Sequence, residues 1–282
     1  MNTPSNFKIS VIIPSYNQAR FLERTILSLL AQEDFNLEIL LIDGGSTDGS
    51  LEIIKRYEEF LTFWRSCKDN GQSEAINFGF QKATGVFKVW LNSDDLILPG
   101  ALKNLRIAAA KHPTCRWFAG STLWINKDDK IIRVGRQENP GRLFKSKKLA
   151  QASPSSFLRN DLLDQFGLLR EDMHYTMDTE MWYRLINGGE MFQRIPGYTW
   201  ALRLHEAAKM SGHNFANSPL ADPSHPSFVQ KHKESEILKM IEPGKGRFSQ
   251  LCFYLNKLFD QSIVSRVTDR KLLGCNVNEV FK

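Results

Sequence analysis

The first 120 residues alternate between two hydrophobic periods. Short, nearly continuous runs of Ile, Val and Leu between polar turns are typical of buried strands. Four such strands are predicted, at Ile9–Ile13, Leu37–Ile42, Leu61–Ser66 and Val86–Leu91. Apolar positions at helical spacing lie between them and predict helices over Phe21–Leu30, Ser50–Phe60 and Ser73–Lys82, with a fourth beginning at Pro99. This alternation indicates an α/β fold with parallel strands and right-handed crossovers.

The pattern is less regular from about residue 115 to 205. Strands are predicted at Trp117–Ile125, Ile131–Val134, Met191–Ile195 and Tyr198–Leu204, the first two pairing around a turn. Short helices that end at glycine are predicted at Asp161–Phe166 and Thr179–Ile186. We expect this stretch to complete the sheet begun by the first half.

Residues 211–282 are predicted to form an extension. Residues 211–227 are rich in proline and serine, which indicates a loop or linker. Apolar side chains from Phe248 to Val267 then share one helical stripe with basic residues beside it. Two interpretations remain open: a helix docked on the main domain, or an interfacial helix on an anionic membrane. The main domain is therefore predicted to cover residues 1–210, with halves that meet near residue 115.

Composition narrows the class of protein only slightly. The formal charge of +6 is compatible with nucleic acid, anionic lipid or phosphorylated substrates, and it selects none of them. Four widely spaced cysteines, without a CxxC pair, argue against a zinc site or a disulfide framework. The start MNTPSNFKIS lacks a signal-peptide core, and no apolar run approaches the roughly 18 residues of a spanning helix. We therefore expect a cytoplasmic protein.

Three polar clusters follow three predicted strands: PSYNQ, DGGSTDGS and NSDD. In parallel sheets, ligands bind beyond the carboxyl ends of the strands. The adjacent carboxylates of Asp94 and Asp95 are costly beside a buried strand unless positive charge lies there. Mg²⁺ or Mn²⁺ carrying a phosphorylated ligand would supply it, whereas a solvated Asp-Asp turn is the alternative on this segment alone. Because all three polar clusters fall at the ends of predicted strands, a ligand site is favoured over a solvated Asp-Asp turn.

From about residue 8 to 211 the chain resembles the family 2 glycosyltransferases, which have the GT-A fold: a Rossmann-like, mostly parallel sheet flanked by helices. Five segments carry the resemblance in the family's order: VIIPSYNQARFLERTILSLLAQ, ILLIDGGSTDGS, DNGQSEAINFGFQKATGVFKVWLNSDD, HYTMDTEMWYRL and LRLHEAAKMS. The resemblance implies a nucleotide-binding half over about 1–115 and an acceptor half over about 116–210. It also implies inverting, metal-dependent transfer from a nucleotide sugar, expected to be a UDP-sugar, to a hydroxyl in polysaccharide or lipid-linked glycan assembly. No nucleic-acid partner is expected, and membrane contact depends on the C-terminal helix.

The resemblance also assigns roles to individual residues. Asp178 is the expected general base, and its alternative role is to cap the helix predicted from Thr179. Asp95 is the expected ligand of Mg²⁺ or Mn²⁺, with His205 near the metal or diphosphate. The expected nucleotide-binding residues are Pro14, Ser15, Tyr16, Asp43, Asp69, Gln72, Asn77 and Asp94. For Asp94 two ligands remain open, the ribose of the nucleotide and the metal ion.

Three positions depart from the family pattern. Gly44 replaces an acidic or amide residue, Asn92 replaces an aspartate of the metal motif, and Met177 replaces a glutamate. The first two leave nucleotide specificity open, and the third bears on the acceptor site. Two alternative functions are a metal-dependent nucleotidyltransferase, for which a Gly-rich phosphate loop is missing, and a non-enzymatic sugar-nucleotide binding protein. A dehydrogenase is excluded because no GxGxxG follows the first strand.

Overall fold

The computed structural model of the protein describes residues 6–32, 36–137, 155–206, 208–209, 226–241 and 271–280. Within these ranges nine strands form one mixed sheet. In chain order they are β1 (Ile9–Ser15), β2 (Leu37–Asp43), β3 (Phe63–Ser66), β4 (Phe87–Trp90), β5 (Leu96–Ile97), β6 (Trp117–Asn126), β7 (Ile131–Gly135), β8 (Ser156–Arg159) and β9 (Gln193–Leu204). Across the sheet the order is β3-β2-β1-β4-β8-β6-β9-β5, and β7 pairs with β6.

The helices that flank this sheet follow the chain between and after the strands. They are α1 (Ala19–Leu30), α2 (Ser50–Arg56), α3 (Gln72–Lys82), α4 (Ala101–Lys111), α5 (Asn160–Phe166), α6 (Met177–Asn187), α7 (Pro226–Ile241) and α8 (Val277–Val280). A 3₁₀ turn over Glu58–Phe60 follows α2. The predicted α/β class and the flanking of a sheet by helices are confirmed.

The first four parallel strands, β3, β2, β1 and β4, end at the same edge of the sheet. Asp43 pairs with Ser15 on one side and with Ser66 on the other, and Ile12 pairs with Trp90. The polar segments that follow these strands therefore meet at one edge, as the sequence predicted. Antiparallel pairing enters with β8, which lies between β4 and β6.

Several predicted boundaries are wrong in detail. Strands β5 and β8 were not predicted, because two and four residues give too little periodicity to recognise. The two strands expected on either side of Pro196 are one strand, β9, whose pairing with β6 shifts register near that proline. The helix expected from Pro99 begins at Ala101, because Gly100 takes a φ of 75° just before it. The helix expected to reach Phe60 ends at Arg56.

Two apolar clusters cover the two faces of the sheet. Ile9, Val11 and Ile13 belong to the cluster that includes buried residues of α1 and α4. Ile12 belongs to the other cluster, with residues of α3, α5 and α6. The alternation of one strand between two clusters is the period of two expected for a strand covered on both faces.

Helix α6 is fixed to the sheet by tryptophan stacking. The Trp182 ring stacks on Trp90 with ring centroids 5.7 Å apart and on Trp117 at 5.2 Å. Trp182 is almost fully buried, so its position sets where the first turn of α6 lies relative to the end of β4.

We expect Trp182→Ala to lower the free energy of unfolding by about 3–5 kcal/mol, because it leaves a large cavity between two rings. Urea unfolding followed by far-UV circular dichroism measures the change. Trp64→Ala is the matched control at a half-buried tryptophan of β3, where a smaller loss is expected. Equal losses at the two positions would contradict the stacking account.

The chain after β9 returns to the main domain in its described parts. Helix α7 lies against α6, and residues 271–280 pack on the β6–β7 hairpin, where Ile131 N–H donates to the Cys275 carbonyl at 2.9 Å. The predicted linker lies outside the described residues except for 226 and 227, which begin α7. The predicted stripe over 248–267 also lies outside them. Among the described helices, none has the length and apolar character needed to span a membrane.

Candidate active site

A cavity of about 710 Å³ opens where the parallel strands end. Its walls come from the segments after β1, β2, β3 and β4, from the segment leading into α6, and from the end of β9. Eight of the predicted site residues line it: Pro14, Ser15, Tyr16, Asp69, Gln72, Asp94, Asp95 and Asp178. Three others, Asp43, Asn77 and His205, lie behind the lining.

The loops after β1 and β2 are tied together at one end of the cavity. Asn17, at a φ of 52°, donates its N–H to Ser46 Oγ at 2.7 Å, and its side-chain oxygen accepts from Thr47 N–H at 2.9 Å. Ser15 Oγ is buried and has no hydrogen-bond partner in the part of the chain described here. Tyr16 stays 62% exposed at the cavity mouth. A buried hydroxyl beside an exposed ring suits a ligand with a polar edge and a flat face.

Asp43 shapes the loop after β2 from within. Its fully buried carboxylate accepts from Gly45 N–H at 3.1 Å, Ser46 N–H at 2.9 Å and the Ser66 hydroxyl at 2.6 Å. All three donate to Oδ2, and the Ser46 hydroxyl donates to Oδ1 at 2.5 Å, so both carboxylate oxygens have partners. A nucleotide contact by Asp43 stays a prediction, and the carboxylate's local partners are those of an Asx turn.

Asp69 lies in the cavity wall opposite Gly44. A Cβ at Gly44 would come within 3.0 Å of Asp69 Oδ2. Glycine at position 44, in place of the family's acidic or amide residue, therefore leaves room for the Asp69 carboxylate. That carboxylate accepts from Gly71 N–H at 2.9 Å. Burial raises the pKa of Asp69, although the Gly71 N–H opposes the shift.

Gln72 and Asn77 serve different parts of the structure. Gln72 Nε2 donates to Asn92 Oδ1 at 2.7 Å within the cavity wall. Asn77 instead pairs with the Leu169 backbone, donating to its carbonyl at 2.9 Å and accepting from its N–H at 3.0 Å. Asn77 thus holds the segment that leads to α6, and its proposed contact with nucleotide stays a prediction.

Asp94 and Asp95 have different surroundings. Asp94 lines the cavity, and its Oδ2 lies 2.9 Å from His205 Nε2. Asp95 is buried, and its carboxylate accepts from Arg203 N–H at 2.9 Å and from Trp200 Nε1–H at 3.3 Å. Burial, followed by the charge of Asp94, raises the pKa of Asp95 well above its ordinary value.

Asp94 and His205, which hydrogen-bond to each other at 2.9 Å, are the side chains that could hold a divalent cation. Adjacent ligands of an octahedral Mg²⁺ or Mn²⁺, each about 2.1 Å from the ion, would lie about 3 Å apart. No group of three His, Cys, Asp or Glu side chains suited to a metal occurs in the described ranges. The remaining ligand positions would thus fall to phosphate oxygens and water. Asp95 as a ligand stays a prediction, and its existing partners make Asp94 the better placed carboxylate.

Asp178 is the second residue of α6, which begins two residues earlier than predicted. Thr176 is the N-cap, so Asp178 is not the capping residue. The half-buried carboxylate lines the cavity and accepts from Thr179 N–H at 2.6 Å. Burial raises the pKa of Asp178, and the Thr179 hydrogen bonds oppose the shift. A cavity-facing carboxylate with a raised pKa is suited to accepting a proton.

Lys209 was not predicted from the sequence. Its Nζ donates to Gln72 Oε1 at 2.9 Å and to the His174 carbonyl at 2.8 Å, which links two walls of the cavity. Burial lowers the pKa of Lys209 to about 8, and the charges of Glu234 and Asp178 oppose the shift. The signal available was its position four residues after His205, within the closing motif.

Arg203 was also missed as an individual residue, although it is the arginine of the Arg-x-His segment. Its guanidinium is fully buried, pairs with Asp129 and donates from Nε to the Asp94 carbonyl at 2.8 Å. Its backbone N–H holds Asp95. Arg203 thus holds the backbone carbonyl of Asp94 and the carboxylate of Asp95.

Known proteins resemble this chain in sequence. The glycosyl transferase family 2 model matches residues 10–167, which is more than half of the chain. An uncharacterized glycosyltransferase of Nostoc sp. is 40% identical over 103 residues, 35% of this chain and 31% of that protein. One from Rickettsia typhi is 24% identical over 284 residues, 94% of this chain and 86% of that protein. The chain therefore spans under a third of the Nostoc relative and most of the Rickettsia one.

Solved structures share the fold. A crystal structure of S. aureus TarS 1-349 in complex with UDP-GlcNAc superimposes with a TM-score of 0.62 at 23% identity, covering 75% of this chain and 62% of that one. The mannosyltransferase PcManGT from Pyrobaculum calidifontis, in complex with GDP-Man and Mn²⁺, has a TM-score of 0.56 at 15% identity, covering 94% and 79%. At these sequence identities the structural similarity shows the fold alone. It confirms the predicted GT-A fold. With the family match over residues 10–167, the chain belongs to glycosyl transferase family 2.

Proposed function

We propose that this chain is an inverting, metal-dependent glycosyltransferase that moves a sugar from a UDP-sugar to an acceptor hydroxyl. The observation that carries the proposal is a single cavity with three chemically distinct parts. The β1 and β2 loops offer a polar and aromatic wall, Asp94, paired with His205 behind the lining, offers a candidate cation site, and Asp178 offers a base. Those are the groups that displacement of a nucleoside diphosphate requires.

The donor proposal depends on the wall near β1. Tyr16 presents a ring, and Ser15 presents a buried hydroxyl with no described partner. The TarS complex holds UDP-GlcNAc and the PcManGT complex holds GDP-Man, so related folds take both bases. We propose a UDP-sugar because TarS has the higher TM-score and sequence identity of these two structures.

The proposed chemistry is a single displacement. The acceptor oxygen attacks the anomeric carbon, the bond from that carbon to the diphosphate oxygen breaks, and Asp178 takes the acceptor proton. A Mg²⁺ or Mn²⁺ held by Asp94 and His205 would offset the charge gained by the diphosphate. One displacement inverts the anomeric centre, so an α-linked donor gives a β-linked product.

The acceptor is proposed to be a hydroxyl of a polysaccharide or lipid-linked glycan. Tyr16 and His174 line the cavity and are exposed to solvent, so the acceptor is proposed to enter between them. A location in the cytoplasm at the inner face of the membrane stays a prediction, because the amphipathic stripe it depends on is outside the described residues.

The direct test is donor binding. Isothermal titration of UDP-glucose, UDP-galactose, UDP-GlcNAc and GDP-mannose would be run with Mn²⁺, with Mg²⁺ and with EDTA. We expect a UDP-sugar to bind with a dissociation constant of about 1 μM to 1 mM only when the cation is present. Metal-independent binding would contradict the cation's role, and no binding of any donor would overturn the function.

The pH profile tests two titratable groups that line the cavity, Asp178 and Lys209. As the pH rises through the raised pKa of Asp178, the base ionises and kcat/KM rises. As it rises through about 8, Lys209 loses its charge and kcat/KM falls. Lys209→Arg keeps the charge, because guanidinium does not titrate in this range, so the alkaline limb should move to higher pH.

The control for that profile is Lys68→Arg, the same change at another lysine in the cavity wall. Its alkaline limb should match the wild type. An unchanged limb in Lys209→Arg would exclude Lys209 as the group that titrates there.

A further inference from the structure

Glu234 of α7 is 1% exposed, and its carboxylate faces the segment that leads into α6. Oε1 accepts from His174 N–H at 2.6 Å, and Oε2 accepts from the N–H groups of Tyr175 and Thr176, each at 2.8 Å. The Thr176 hydroxyl donates to Oε2 at 3.0 Å, and Gln230 Nε2 donates to Oε1 at 2.9 Å. Five donors from one short segment and one neighbouring turn therefore converge on a single carboxylate.

This carboxylate is held in its charged form. Burial alone would raise the pKa of Glu234, but the hydrogen bonds from His174, Gln230, Tyr175 and Thr176 together lower it below its ordinary value. Charge-assisted hydrogen bonds of this kind are stronger than neutral ones. The backbone of residues 174–176 is thus fixed to α7.

The contact anchors the chain just before α6. Glu234 accepts from the N–H of the N-cap residue Thr176 and from those of the two residues before it. Thr176 itself makes no side-chain hydrogen bond that caps the helix, and its hydroxyl donates to Glu234 instead. Asp178 follows two residues later, so the backbone that carries it is anchored directly upstream.

Helix α7 is itself attached at both ends. Gln230 donates to the Asp172 carbonyl at 3.2 Å, and Asn187 of α6 donates to the Ile241 carbonyl at 2.8 Å. Ile237 and Leu238 pack against the apolar cluster that contains Trp182. The position of Glu234 is therefore set by α6 and by the loop before it.

The same segment is part of the cavity wall. His174 and Tyr175 line the cavity, and the His174 carbonyl accepts from Lys209. The N–H groups of residues 174–176 thus bind Glu234, and the His174 carbonyl binds Lys209, which lines the cavity. A shift of the segment would move Asp178 relative to any bound acceptor.

We propose that Glu234, in the chain beyond the predicted main domain, is a positioning residue that sets the orientation of Asp178 for proton abstraction. The inference rests on the proposed function, because it assumes that Asp178 is the base. Helix α7 is then a part of the catalytic wall and not only a packing element.

The test replaces Glu234 with glutamine, which keeps the shape but points an amide donor at backbone N–H groups. Turnover is followed as nucleoside diphosphate released from the sugar nucleotide that wild type uses, with water as acceptor. We expect Glu234→Gln to lower kcat by about 10–100-fold, as misplacement of a base does, with the donor KM within about two-fold. Glu236→Gln is the matched control on the same helix, since Glu236 is half exposed and pairs with Lys239.

A double mutant separates positioning from a merely structural role. In the Asp178→Asn background, Glu234→Gln should cost little further activity, because the group it positions is gone. Losses that multiply in the double mutant, or an unchanged kcat in the single one, would overturn the inference. Asp178→Asn with wild-type turnover would instead overturn the proposed function, so the two failures are distinguishable.

A milder pair of variants covers the case in which Glu234→Gln does not fold. Thr176→Val removes one donor to Glu234, and Thr176→Ser restores it. We expect kcat to fall by a few-fold in the valine variant, as loss of one hydrogen bond would give, and to recover in the serine variant. Equal kcat in the two variants would overturn the inference.

Discussion

Asp178→Asn is expected to lower turnover by about 10²–10⁴-fold, the contribution typical of a general base. Asparagine keeps the size and the hydrogen bond to Thr179 N–H but cannot take the acceptor proton. Donor affinity should stay within about two-fold, because Asp178 belongs to α6 and not to the β1 and β2 loops that are proposed to bind the donor. Nucleoside diphosphate release measures turnover, and isothermal titration measures binding.

Asp172→Asn is the control for that variant. Asp172 is exposed, lies six residues earlier, and pairs with Arg170 outside the cavity. It should behave as wild type. Near wild-type turnover in Asp178→Asn would remove Asp178 as the base, and equal loss of binding and turnover would make it a donor-binding residue.

Asp94→Asn is expected to weaken cation-dependent donor binding by at least about tenfold, and His205→Ala by a similar factor. Both changes remove an atom of the pair that lies 2.9 Å apart. The free energy of unfolding should change little in Asp94→Asn, since that side chain faces the cavity. Titration of the preferred donor at several Mn²⁺ concentrations measures the effect.

Asp95→Asn distinguishes the two carboxylates. Asp95 accepts from Arg203 N–H and Trp200 Nε1–H, and an amide nitrogen facing either donor would leave it unsatisfied. We expect a loss of stability of about 1–3 kcal/mol and a smaller effect on cation affinity than in Asp94→Asn. The opposite ranking would make Asp95 the ligand, as the family resemblance implies. Asp164→Asn, at an exposed position on α5, is the control for both.

The strand ends could be predicted because buried parallel strands leave a strong signal. Ile9–Ile13 and Leu37–Ile42 are runs with few polar residues, and each is followed by a polar cluster. Their lengths and order were enough to place PSYNQ, DGGSTDGS and NSDD at one edge. Strand β5, with two residues, and strand β8, with four, exist through pairing with partners distant in sequence, which no local period reveals.

The site was only partly visible in the sequence for a related reason. Asp94, Asp95 and Asp178 stand in motifs, so their types and spacing marked them. Lys209 and Glu234 contact the segment before α6 through hydrogen bonds that span at least 35 positions, and neither residue stands in a local pattern. Asn77 is the opposite case: it stands in a motif that implied a nucleotide contact, but its side chain pairs with the backbone of Leu169.

The stereochemistry of the product tests the proposed single displacement. With Asp178 as base, one displacement inverts the configuration of the anomeric carbon. Proton NMR of the free sugar formed from an α-linked UDP-sugar with water as acceptor, recorded before its anomers equilibrate, reports the configuration of the first product. We expect the β anomer, and an α anomer as first product would contradict the single displacement.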